Sequence, residues 1–71
     1  MQKELTRTFN ELIVTIQDDD ANIIASLKKE AKEQAKIYGL NLQMFCNKAI
    51  AITFRGPEEK IQKVYEFYFL K

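Results

Sequence analysis

Hydrophobic and polar positions alternate along residues 9–17, FNELIVTIQ, with Leu12, Val14 and Ile16 on one face and β-branched types prominent. A two-residue period of this kind marks a strand with one buried face. Asp18, Asp19 and Asp20 end it. The period then changes, as Ile24, Leu27, Ala31, Ala35 and Tyr38 recur at helical spacing. This predicts a helix of about 18 residues, capped by Asp19 or Asp20 and closed by Gly39. Alternation returns in LNLQMFC, residues 40–46, where Leu40, Leu42, Met44 and Cys46 share a face against Asn41, Gln43 and Phe45. A tight turn near Asn47 and Lys48 leads into AIAITFR, with Ile50, Ile52 and Phe54 together. Gly56-Pro57-Glu58-Glu59 then reads as a helix start, with proline at the first helical position and acids at the positive end of the dipole. Ile61, Val64, Tyr65 and Tyr68 form the second amphipathic stripe. The final YEFYFLK has strand propensity, but a strand there would leave a helix of about eight residues and no connecting loop. A continuous helix is the expectation.

The order is therefore strand, helix, strand, strand, helix. A right-handed crossover makes the first two strands parallel and leaves a gap between them, which the third strand fills. The expected fold is α+β: a two-layer split βαβ sandwich whose three-stranded sheet carries both helices on one face. It corresponds to the ferredoxin-like arrangement without its fourth strand. One domain spans residues 1–71, with 1–8 either disordered or an edge extension.

Length and composition narrow the function classes. At 71 residues and 8.3 kDa the chain makes one thin core, burying roughly 60% of its unfolded surface. The composition, 46% hydrophobic and 30% charged, is that of a globular domain. The net charge of +1 and pI near 7.8 are low for a DNA-coating protein. There is no histidine and only one cysteine and one serine. Histidine acid–base chemistry, Ser-His and Cys-His nucleophiles, disulfide frameworks and Cys/His zinc sites are therefore excluded. An enzyme would need carboxylates alone, and Glu11 and the aspartate run offer no cleft-forming pair. No cofactor is expected. The polar start MQKELTRTFNE is unlike a signal peptide, no apolar run approaches a membrane span, and a lone cysteine suits a reducing cytoplasm.

Families with related topology leave no motif here. An RNA-recognition motif would carry aromatics on its central strands, which read LIVTIQ and AIAITF, with only Phe54 aromatic and on the helix-facing side. A KH domain needs a GxxG loop, and the only glycines are Gly39 and Gly56. A heavy-metal-binding domain needs CxxC. An acylphosphatase-like site needs an anion cradle after the first strand, where this chain has three aspartates. The order of elements resembles that of DinI-type inhibitors of RecA, but their acidic final helix has no match in EEKIQKVYEFYFLK.

Surface features carry what remains. The aspartate run serves strand termination and helix capping better than cation binding. Cys46 is expected in the core, in register with Met44. Lys28, Lys32 and Lys36 repeat every fourth residue, with Lys29 alongside, and form a ridge suited to an anionic partner. The outward face of the sheet should carry Ile13, Phe45, Ala51 and Arg55, with Ile13 and Phe45 flanking a trough floored by Ala51. That is a contiguous patch with no helix left to cover it. The final turn, Phe67 to Leu70, is too apolar for a lone surface helix; Tyr65, Tyr68 and Phe69 are expected to face the sheet. These features point to a small non-enzymatic protein-interaction or regulatory module, a homodimer that works by binding a macromolecular partner. It would act through the patch and the open edge of the strand at residues 9–17. The alternative is a nucleic-acid-binding protein that uses Lys28, Lys29, Lys32 and Lys36, joined by Arg55 and Lys48. No membrane partner is expected.

Overall fold

The computed structural model describes residues 2–47 and 49–70. They form β1 (Gln2–Arg7), β2 (Glu11–Gln17), α1 (Ala21–Tyr38), β3 (Asn41–Cys46), β4 (Ala49–Arg55) and α2 (Glu58–Leu70). Lys48 lies outside the described residues. The sheet has four strands in the order β1-β2-β4-β3, and every neighbouring pair is antiparallel. The expectation of a three-stranded sheet is thus overturned.

The extra strand is β1, which turns back on β2 through a short loop in which the Thr8 amide donates to the Glu11 carbonyl at 2.9 Å. The register pairs Lys3 with Ile16, Leu5 with Val14 and Arg7 with Leu12, so these three β1 residues share the helix-facing side. Only Leu5 is apolar, and the hydrophobic alternation that marks β2 is missing. Long charged side chains anchor the strand instead. Lys3 Nζ donates to the Tyr68 carbonyl at 2.6 Å, and the Arg7 guanidinium sits 5.5 Å from the centre of the Tyr65 ring. Inward-pointing charges of this kind also keep an edge from pairing with other chains.

The rest of the sheet follows from the crossover. β2 and β3 are both antiparallel to β4, which lies between them, and α1 joins them. In a βαββαβ fold a last strand leaving the second helix would lie beside the first strand. Here β1 takes that place from the other end of the chain. The C-terminal segment YEFYFL therefore finds no vacant partner and stays helical through Leu70.

Local signals set the helix ends. Asp20 caps α1, its Oδ1 accepting from the Asn22 amide at 2.8 Å, while Asp18 Oδ1 accepts from the Asp20 amide at 2.9 Å. Gly39 closes the helix at φ 64°, and the Leu40 amide donates to the Ala35 carbonyl at 2.9 Å. At Gly56 an added Cβ would press on the end of the Leu40 side chain, which would have to shift. The first bonds of α2 run to the Pro57 carbonyl.

One core lies between the sheet and the helices. Leu12, Val14 and Ile16 of β2 face Phe54, Ile52 and Ile50 of β4 in register, all 0–1% exposed. Leu27, Ala31 and Ala35 of α1 and Ile61, Val64 and Tyr68 of α2 close over them. Two expected positions fail. Cys46 keeps the core-side phase, opposite Ile50, but it ends an edge strand beyond the reach of the helix layer and is exposed. Phe69 is 63% exposed; it turns away from the sheet and stacks on Tyr65 at 5.8 Å.

Candidate functional site

Among the described residues, nothing covers the outward side of the sheet. Its register sets Thr6, Ile13, Thr53 and Gln43 in one cross-strand row and Glu4, Thr15, Ala51 and Phe45 in the next. Phe45 is 74% exposed, while Ile13 and Ala51 are half-buried by their neighbours. All four sequence-derived candidates, Ile13, Phe45, Ala51 and Arg55, lie on this face. They are not equally close. Ala51 is directly opposite Phe45, whereas Ile13 sits one row along with Thr53 between it and β3. The shallow depression beside Phe45 is lined by Gln43, Ala51 and Thr53, without Ile13.

Arg55 is already engaged. Its Nε donates to Glu11 Oε2 at 2.6 Å across the β2–β4 pair. That leaves Glu4 as the one outward charge of the strands outside an ion pair among the described residues. The remainder of the face is threonine, glutamine, asparagine and alanine around Phe45 and Ile13. The outward residues beside Phe45, namely Gln43, Ala51 and Thr53, carry no charge.

The edges differ from the expectation. The edge of β2 that was expected to stand open is occupied by β1. The free edges are β1 and β3. Charged side chains guard β1, but β3, NLQMFC, contains no charge and no proline. The expected strand order already put residues 40–46 at a border of the sheet, and β1, by pairing with β2, leaves that border open.

The lysines of α1 lie above it. α1 packs over β3 and β4, and α2 over β2 and β1. Glu30 of α1 is close enough to Tyr68 of α2 for its charge to act on the hydroxyl, so that flank of α1 faces α2. Lys28 and Lys32 are each two residues from Glu30, which places them about 160° round the helix. They therefore lie on the flank over β3. Lys28 is half-buried there, while Lys29, Lys32 and Lys36 are exposed. None of the four forms an ion pair among the described residues. Arg55 projects from the opposite side of the sheet and does not extend the ridge.

Among the described residues no cluster of histidine, cysteine, aspartate or glutamate is arranged to hold a metal ion. No described helix is long and apolar enough to cross a membrane. Comparison with family models, with curated proteins and with solved structures found no match for this chain.

Proposed function

We propose that this protein is a non-enzymatic interaction module that pairs with a second copy of itself through the outward side of its sheet. The observation that carries the reading is the neutral, uncovered face around Phe45. The residues beside this exposed aromatic carry no charge, and depletion of charge with enrichment of aromatics is what distinguishes the core of a protein interface from ordinary surface.

Size sets the strength. Four strands about 4.8 Å apart and roughly 20 Å long give a face on the order of 400 Å² in plan. Two copies face to face would remove on the order of 1,000 Å² in total, at the low end for a specific interface. The dimer is expected to be weak, in the micromolar range. Sedimentation from micromolar to millimolar protein should show the mass rising from one chain to two. Phe45→Lys should keep the protein monomeric with its circular dichroism unchanged. A wild-type monomer throughout that range would refute the homodimer.

The free lysines favour a second reading, binding to a nucleic-acid backbone. Four phosphate contacts would give a log–log salt slope of roughly −3 to −4 on duplex DNA. Binding that survives physiological salt and disappears in the Lys28, Lys32 and Lys36 to glutamine variant would establish it in place of the first.

A further inference from the structure

We infer that the open edge of β3 receives an extended acidic segment of a partner protein, which adds as a fifth strand beneath the lysine ridge of α1. This rests on the reading of the chain as an interaction module.

Two features meet at this edge. The first is β3 itself: it is the last strand of the sheet, so alternate amides and carbonyls along Asn41–Cys46 point away from β4 with no strand to receive them. An incoming strand would gain main-chain hydrogen bonds there, and alternate side chains would supply specificity. The second is the charge above it. α1 runs from the end of β2 back to the start of β3, so it is antiparallel to β3. Lys28, Lys32 and Lys36 repeat about every 6 Å along that helix. Same-side residues of a strand repeat about every 6.6 Å. Acids at alternate positions of an added strand would therefore match the spacing of Lys28 and Lys32, with Lys36 turned about 40° further toward solvent.

The same geometry disfavours the simplest competitor. Two β3 edges paired about a two-fold axis would bring two lysine ridges side by side, and like charges across an interface oppose association. The β1 edge is closed by its own inward charges. Charge complementarity thus selects a partner different from the chain itself. On the other side of the added strand, an apolar residue would lie beside Phe45.

The test uses a short synthetic peptide that alternates glutamate with valine, and follows amide exchange in the full chain. Saturating peptide should slow exchange of the outward β3 amides by at least about tenfold. Lys28, Lys32 and Lys36 to glutamine together should weaken binding by about tenfold, and added salt should do the same. The peptide N-methylated at every second nitrogen should not bind. Protection of β3 that ignores the lysine changes would overturn the acidic partner while leaving an interaction module in place. So would a peptide that fails to bind while the dimer forms normally. Failure of both peptide binding and dimerisation would remove the underlying reading as well. Duplex DNA binding that needs the same lysines without protecting β3 would overturn the inference in favour of nucleic acid.

Discussion

Tyr68 is the residue on which the two layers converge. It is 1% exposed, its ring is 5.8 Å from Phe54 and meets Phe67 edge-on at 5.1 Å, and its carbonyl receives Lys3. Its hydroxyl, however, is buried with no hydrogen-bond partner among the described residues. A buried donor left unmade costs about 1–3 kcal/mol, while an apolar group of the same shape avoids that cost. Tyr68→Phe is therefore expected to stabilise the fold by about 1 kcal/mol, read as a higher denaturant midpoint. The hydroxyl also shapes the response to base. Burial first, and the Glu30 charge second, raise its pKa above the ordinary 10.0. The unfolded chain then gives up this proton at lower pH than the folded one. The stability it confers is whole below pH 10.0 and declines above it, by up to about 1.4 kcal/mol per pH unit. Subtracting the Tyr68→Phe profile from wild type isolates this component. Parallel profiles above pH 10.0 would show that the phenol ionises freely in the fold.

Among the elements, β2 and β4 form the inner pair and β1 and β3 the borders, which decides how each was written in sequence. The inner strands need a full apolar stripe, and Leu12, Val14, Ile16 and Ile50, Ile52, Phe54 declare it by strict alternation. Both helices were equally legible, because Asp20, Gly39 and Pro57 are local devices that act within a few residues. β1 was not legible. Its inward positions are Lys3, Leu5 and Arg7, whose methylene stems and charges cover α2, so hydrophobicity carries no period there. Two substitutions test the inside–outside assignment. Ile52→Ala should cost about 2–5 kcal/mol as a core truncation, while Phe45→Ser should change folding stability by less than about 0.5 kcal/mol. Chemical denaturation of both distinguishes them, and a large loss for Phe45→Ser would shift the β3 register by one residue. A third change addresses β1. Removing residues 1–8 strips the Lys3 and Arg7 contacts and opens the β2 edge, so the shortened chain should melt lower and associate in a concentration-dependent way. An unchanged melting curve would mean that β1 adds nothing to the fold.

Over the whole molecule, charge is segregated rather than scarce. A net charge of +1 conceals a sheet face that is uncharged around Phe45 on one side and a lysine flank on the other. The sequence showed the ridge and the outward residues, because both follow from simple periods. It did not show that they meet at the β3 edge, since that depends on α1 packing over β3 and β4 while α2 takes β2 and β1. A ridge of like charges has a measurable consequence even without a ligand. Lys28–Lys32 and Lys32–Lys36 are repulsive i,i+4 pairs, each destabilising by about 0.2–0.5 kcal/mol at low salt. Replacing all three with glutamine should raise stability by about 0.4–1 kcal/mol in dilute buffer. The gain should shrink as salt screens the wild-type repulsion. Thermal melts at low and high ionic strength read both effects. A stability gain that accompanies loss of an acidic ligand would mark these lysines as a surface held at the expense of the fold, which is how a binding function shows itself in stability. A variant that is less stable than wild type at low salt would instead mean that the half-buried Lys28 contributes through its aliphatic stem against the β3 side of the core. The ridge would then be packing first and charge second.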